Sequence, residues 1–420
     1  MHVVIAPDCF TGTLTATQAA EAIAAGWSRA APHCVLTQVP LSDGGPGFLD
    51  VLAHGLTGEM LAVTVSDPLG REVPASVLVV DNGGERTAYV ESAQAAGLHL
   101  LAASERDPGV TTSYGVGQLL LAAQAAGARR IVVGLGGSGT NDGGAGMLAA
   151  LGVGSRDDLG RGGLALADLG PDALDVLDGV ATDWSEIDLV AATDVDNPLL
   201  GMHGASAVFG PQKGASPELA QDLENALGRF ADRVWSHLPR RTDLLSGRPV
   251  RLDKEPGAGA AGGLGYGLLV LGGRRESGVD LVLDALDFAD LVAAADLLVT
   301  GEGSFDWQSL RGKVVSGVAR AGLAAATPAL VIAGRVAVGR REAMAAGLSG
   351  TYAVVSRPDD EEAAFADPVG TLTDRAARVA ATWAPPPRAH AGDETPATPS
   401  SADASDPAYR GDDRGNKPAP

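Results

Sequence analysis

Asp194 and Asp196 stand two residues apart, directly after the apolar run Leu189 to Ala192, with Asn197 beside them. Two carboxylates so placed after a strand can share a Mg²⁺ ion or take the proton of a hydroxyl. They can equally form a solvated Asx turn ahead of Pro198. Lys213, in Pro211-Gln-Lys-Gly214, can neutralise a transferring phosphoryl group or be a surface lysine. The run Val132-Val-Gly-Leu-Gly-Gly-Ser-Gly-Thr-Asn-Asp-Gly-Gly-Ala-Gly146 carries Ser138, Thr140, Asn141 and Asp142. Its glycines, Gly136 and Gly137 among them, let backbone N–H groups approach a phosphate closely. The polar side chains beside them can hold a hydroxyl or a metal-bound phosphate. Asp8, Asp43, Glu302 and Asp306 sit in further polar loops, each after an apolar run.

Several other chemistries are disfavoured. No Gly-x-x-x-x-Gly-Lys-Ser/Thr occurs, and Arg311-Gly-Lys-Val fails at the Ser/Thr position. Gly134 to Gly139 matches Gly-x-Gly-x-x-Gly, but Asp157 and Asp158, near the distance of a ribose-binding acid, lie in a polar turn. The Asp194-Val-Asp196 pattern echoes the start of haloacid-dehalogenase-type phosphatases, with Pro198 next to Asn197 where Thr or Val is expected. No His/Cys cluster has zinc-ligand spacing, and no nucleophile elbow sits between a strand and a helix.

The elements that must position these residues are legible as short apolar runs. Strands are predicted over His2 to Ala6, Val35 to Val39, Val63 to Leu69, Ala75 to Val80, Ala88 to Ser92 and Arg130 to Gly134. Further strands are predicted over Asp188 to Ala192, Asp296 to Thr300, Ala329 to Ala333 and Tyr352 to Val355. Thr15 and Gln18 form a capping-box pattern ahead of a helix ending near Ala31. Ser113 to Ala126 reads as a helix closed by Gly127, and Ser216-Pro-Glu opens another that runs to about His237. Strand, helix and strand at this spacing imply βαβ units and a parallel sheet, whose ligands gather at the carboxyl ends of the strands. The candidate loops all fall there.

The chain has 420 residues, enough for about two domains, and a net charge of −21. That charge argues against nucleic acid and anionic membrane as partners. Two cysteines, Cys9 and Cys34, make no disulfide framework and suit a reducing cytoplasm. No apolar run reaches the length of a membrane helix, and the N-terminus reads as a first strand rather than a signal peptide. Residues 385–420 are rich in Pro, Ala, Asp and Ser and lack Leu, Ile, Val and Phe, which predicts a disordered tail.

Seven segments, in order, resemble the bacterial type I glycerate kinases: Val4 to Leu14, Pro40 to Gly45, Gly134 to Gly146, Ala192 to Leu199, Val208 to Gly214, Pro256 to Gly265 and Val299 to Gly303. The resemblance covers about residues 1–384. It implies ATP- and Mg²⁺-dependent phosphorylation of D-glycerate, with 2-phosphoglycerate as the favoured product. It also implies an α/β fold of two domains. A flavodoxin-like domain with a Rossmann-like parallel sheet would be built from both chain ends, about 1–65 with 286–384. A restriction-enzyme-like α/β domain, about 66–285, would be inserted between them. In the glycerate kinase reading Asp194, Asp196 and Lys213 are the candidate catalytic residues, with Asp194 and Asp196 as candidate metal ligands. Asp8, Asp43, Gly136, Gly137, Ser138, Thr140, Asn141, Asp142, Asn197, Glu302 and Asp306 are the candidate substrate- and phosphate-binding residues.

The chain departs from that family's pattern in three loops. Thr11 stands where Lys is usual, Pro46 and Phe48 replace Glu and Thr, and Ser304 and Trp307 replace a cation and Gly. A related kinase with a shifted hydroxy-acid substrate, and a catalytically weakened homologue that binds ligand as a sensor, are the alternatives these changes raise.

Overall fold

A computed structural model describes residues 1–384 apart from 240, 241, 243–246, 248, 311 and 358. The tail predicted at 385–420 lies outside the described residues. Among the described residues eleven strands form two sheets: β1 His2–Ile5, β2 Val35–Gln38, β3 Glu59–Ser66, β4 Glu72–Asn82, β5 Glu85–Glu91, β6 Arg130–Gly134, β7 Asp188–Ala192, β8 Arg274–Glu276, β9 Leu297–Phe305, β10 Ala329–Val336 and β11 Leu348–Ala353.

The first sheet is parallel throughout, in the order β11-β10-β9-β1-β2. This is the flavodoxin-like order, and the chain reverses its direction of travel between β1 and β9. The second sheet runs β3-β4-β5-β6-β7-β8 in sequence order. Its first three strands are antiparallel and its last four parallel.

Alternation along the strands sorts the side chains into three cores. Val3, Ile5, Val299 and Ile332 pack with the helices Ala16–Ala30 and Pro368–Trp383 on one face of the first sheet. Val77, Val90, Ile131, Val133 and Ala191 pack with the helices Tyr114–Ala125 and Pro217–His237 on one face of the second. The remaining faces, Val4, Leu298 and Val331 from one sheet and Leu78, Val132 and Val190 from the other, share a middle layer. That layer contains the helices Phe48–Gly55, Gly278–Ala285 and Val314–Ala325.

Local chemistry sets the element ends. The Thr15–Gln18 capping box forms as expected, with both reciprocal hydrogen bonds. The third strand lies earlier than its apolar run suggested, because Asp67 folds back on the N–H groups of Leu69 and Arg71 and turns the chain. The last strand also lies earlier, at Leu348–Ala353.

Candidate functional site

The carboxyl ends of both sheets face one cleft of about 600 Å³. On the first sheet, Asp8 follows β1 and Glu302 lies on β9, on either side of the reversal point. The loop after β2 brings Asp43 to the same wall, and Asp306 closes its rim. Burial and neighbouring negative charge push Asp8 and Glu302 up. Asp8 is raised first by desolvation, then by Asp43 and Glu302, against the Cys9 N–H that it accepts at 2.7 Å. Glu302 is 6 % exposed and raised to about 7 by desolvation; Ser309 and Lys313 lower it, while Asp306 and Asp43 raise it. Its Oε1 is buried without a hydrogen-bond partner. Asp8 and Glu302, both held above the ordinary carboxyl range, stand with Asp43 in a proton-handling and cation-attracting patch.

The opposite wall is the glycine turn after β6. Gly136 and Gly137 line the cleft. Among the described residues their backbone N–H groups make no hydrogen bond. Gly137 has φ +63°, a left-handed conformation of the kind from which anion-binding nests are built. The turn lies directly on the loop after β2: a Cβ on Gly136 would come within 2.5 Å of Gly45 Cα, and one on Gly137 within 2.6 Å of Pro46 Cγ. Only glycine allows that contact, so the two sheets meet backbone to backbone at the site. Pro46, one of the departures from the family pattern, is thus a packing surface for the turn.

Several predicted residues stand behind this wall rather than on it. Lys213, expected at the transferring phosphoryl group, is 1 % exposed and donates to Ser138 Oγ at 2.9 Å and Thr140 O at 2.7 Å. Burial lowers its ammonium to about 7. Asp142 is fully buried and accepts Ser113 N at 2.7 Å, Ser113 Oγ at 2.9 Å and Gly146 N at 3.1 Å through one oxygen. Its other oxygen accepts Gly144 N at 3.1 Å. Asp142 therefore ties the turn to the start of the helix Tyr114–Ala125. Asn141 donates to Ser206 Oγ at 2.9 Å, and its Oδ1 and Thr140 Oγ1 are buried without partners.

Asp194 and Asp196 do not act as a pair. Asp194 accepts Val279 N at 3.1 Å, at the start of the helix Gly278–Ala285, and desolvation raises it to about 6. It stands beside Gly312 and feels the charge of Asp43. Asp196 is 76 % exposed and pairs with Arg275 at 2.7 Å. The i, i+2 spacing suggested a shared ion; the loop instead sends the two carboxylates to different partners. Asn197 donates to His203 O at 2.8 Å. Among the described residues no three His, Cys, Asp or Glu side chains are grouped so as to hold a metal ion. Mg²⁺ prefers few carboxylates together with phosphate oxygens and water, so the cleft suits Mg²⁺ carried in with a nucleotide.

Three positions at or beneath the cleft escaped the sequence reading. Among the described residues Lys313 and Arg335 are the cations that line the cleft. Lys313 follows the Arg311-Gly segment considered only as a failed phosphate-loop signature. Arg335 extends β10 two residues past its apolar run. Glu91, at the end of β5, accepts Gly47 N and Leu49 N, each at 3.2 Å, and caps the helix Phe48–Gly55 under the second loop. A buried glutamate in a strand gives no periodic signal.

A flavodoxin-ordered sheet, joined through a shared helical layer to a mixed sheet and carrying an acidic, glycine-walled cleft, defines an α/β protein built to handle anionic ligands. The glycerate kinase family model matches residues 3–384, and the chain belongs to that family. It is 40 % identical to the glycerate kinase of Bacillus subtilis over 370 residues, 87 % of this chain and 93 % of that protein. It is 36 % identical to the glycerate 2-kinase of Escherichia coli, covering 91 % of this chain and 98 % of that one. A crystal structure provisionally assigned as glycerate kinase 2 of Salmonella typhimurium LT2 superposes with a TM-score of 0.69 at 37 % identity, over 91 % of this chain and 98 % of that one. No helix among the described residues is long and apolar enough to cross a membrane.

Proposed function

We propose that this protein transfers the γ-phosphoryl group of ATP to D-glycerate in the cytoplasm, forming 2-phosphoglycerate. The observation that carries the reading is the placement of Asp8, Asp43 and Glu302 opposite the unpaired N–H groups of Gly136 and Gly137. Phosphoryl transfer asks for in-line positioning and charge neutralisation more than for covalent chemistry. The turn holds the transferring phosphate. Glu302, with one oxygen unpartnered, accepts the proton of the glycerate hydroxyl. Lys313 offsets charge at the same wall. Asp8 and Asp43 are the oxygen donors that would meet Mg²⁺ when it arrives with ATP, and the ion would neutralise phosphate charge there. Lys213, Asp142, Asn141, Ser138 and Thr140 hold the turn, and Asp194 sets the approach of the helix Gly278–Ala285. Asp196, Asn197 and Asp306 shape the rims of their loops.

The same reading divides the chain into two lobes, one per sheet. The expected boundaries at 65/66 and 285/286 cut within β3 and directly after the middle-layer helix Gly278–Ala285. Boundaries just before Glu59 and just after Glu276 keep each sheet whole.

Phosphorus NMR of the products from ATP and D-glycerate tests the assignment. A 2-phosphoglycerate resonance is the expected result, and a 3-phosphoglycerate resonance would reverse the regiochemistry. Thermal stabilisation by ligand without product would instead support the sensor alternative raised by Thr11, Pro46 and Ser304.

A further inference from the structure

The acidic patch and the glycine turn occupy only one end of the cleft. The other end is apolar, walled by Val354, Val355, Ala364, Phe365 and Leu372, after β11 and on the two C-terminal helices. Phe365 is 64 % exposed, a large aromatic left facing open space. A three-carbon acid fills little of a 600 Å³ cleft, while a cleft of this size matches a ligand several times larger. Between the two ends stands Arg335. Its backbone is in register with Ser304 of β9, on the acidic wall, and its guanidinium pairs with Glu361 on the helix Asp360–Ala366, on the apolar wall. Lys313 is already opposed by Glu302. Among the described residues Arg335 is therefore the cleft cation whose partner sits on the flanking helix rather than among the acidic residues.

We propose that the apolar end seats the nucleobase of the phosphoryl donor and that Arg335 exchanges Glu361 for the donor's phosphates. The chemistry agrees at each point. A purine presents a flat apolar face, which an aromatic ring and branched aliphatics cover well. A guanidinium that pairs with a carboxylate also pairs with phosphate oxygens, and can do so in a fork. Glu361 keeps the guanidinium in place while the cleft is empty, and an incoming polyphosphate carries more charge than the carboxylate it displaces. Sheet order then sets the apolar end after β11, Arg335 on β10 and the acidic residues at β9 and β1 side by side, with the glycine turn on the opposite wall, so that the donor's phosphates lead from Arg335 toward the acceptor. The proposal rests on the kinase reading above.

Calorimetric titration of the full chain with ADP alone, and then with adenosine alone, tests the donor end without any acceptor. Arg335→Gln is expected to weaken ADP about tenfold or more, the loss of one charge-assisted contact, and to leave adenosine unchanged. Phe365→Ala is expected to weaken both ligands. Glu361→Gln is expected to tighten ADP by removing the competitor. Both Arg335 and Glu361 are well exposed, so these variants are expected to fold. In turnover assays Arg335→Gln should raise KM for ATP with KM for D-glycerate unchanged. A rise in KM for D-glycerate with ADP affinity unchanged would overturn the proposal and give Arg335 to the acceptor's carboxylate. Equal ADP affinity in all three variants would overturn it outright. Tight ADP binding by the wild type with no D-glycerate turnover would sink the acceptor assignment and leave this inference standing.

Discussion

At the scale of single residues, burial rather than proximity to solvent decides what each group can do. Glu302 titrates near 7 in the folded chain, against an ordinary value of 4.5. Between those values the folded state binds more protons than the unfolded state, so stability falls as pH rises through this window. Above about pH 7 the cost is fully present, on the order of 3 kcal/mol. Glu302→Gln is therefore expected to raise the melting temperature at pH 8 while lowering turnover by about 100-fold or more. In the wild type, kcat/KM is expected to rise through about pH 7, as Glu302 loses its proton. A flat profile from pH 6 to 8, or a variant that melts lower and still turns over, would remove Glu302 from the proton-accepting role. Lys213 presents the opposite sign. Burial lowers its ammonium to about 7, so its desolvation cost is complete below that pH and fades as pH rises toward its ordinary value. Lys213→Met relieves that cost but leaves Ser138 Oγ and Thr140 O without their donor. The two effects oppose, and the net change in unfolding free energy at pH 7 is expected to stay within about 2 kcal/mol. Turnover should nevertheless fall about 10- to 100-fold, because the turn is no longer held against the acceptor. Urea denaturation and steady-state kinetics on one preparation separate the two quantities.

At the scale of elements, the glycine turn and its supports can be pulled apart experimentally. Gly136 meets Gly45 at the surface of the turn, whereas Asp142 lies beneath it and gathers four N–H or O–H donors at 2.7 to 3.1 Å. Gly136→Ala must push the Gly45 backbone aside and is expected to lower kcat/KM by at least about tenfold and to cost about 1 to 3 kcal/mol. Asp142→Asn turns an amide N–H₂ toward existing donors and is expected to cost about 2 to 4 kcal/mol by urea denaturation. Equal losses of stability in both would mean that the turn is one rigid block. This division was only half legible in the sequence. The strand before the turn, its glycines and its phosphate chemistry follow from apolar periodicity and from backbone freedom. The side chains between the glycines did not declare which way they faced. Ser138, Thr140, Asn141 and Asp142 are polar in a loop, which suggests ligand contact, yet Lys213 and Ser113, distant in sequence, take the hydrogen bonds of Ser138 and Asp142. The Asp194 and Asp196 pair misled for the same reason. Arg275 and Val279, both over 75 residues away, separate the two carboxylates.

At the scale of the whole molecule, the two sheets are joined by a core that neither could bury alone. Leu78, Val132 and Val190 of the second sheet and Val4, Leu298 and Val331 of the first contact the same helical layer. The parallel first sheet was legible from its short buried runs and βαβ spacing. The sharing of a layer was not, because a buried helix face reads the same whichever sheet covers it. Phe48 shows the consequence. It stands where the family pattern has Thr, is fully buried, and sets its ring edge-on to Tyr89 of β5 at 6.2 Å. It begins the helix Phe48–Gly55, whose start is capped by Glu91 from the second sheet, while its chain arrives from β2 of the first. Phe48→Ala opens a cavity at this junction and is expected to cost about 3 to 5 kcal/mol. Because the layer serves both sheets, the loss should lower a single calorimetric transition rather than split off one lobe. Hydrogen exchange should show protection falling together in β1, β9, β5 and β6. Two resolved transitions, with β1 and β9 unchanged in the variant, would mean that the lobes fold independently and that the cleft between them is set by docking rather than by a common core.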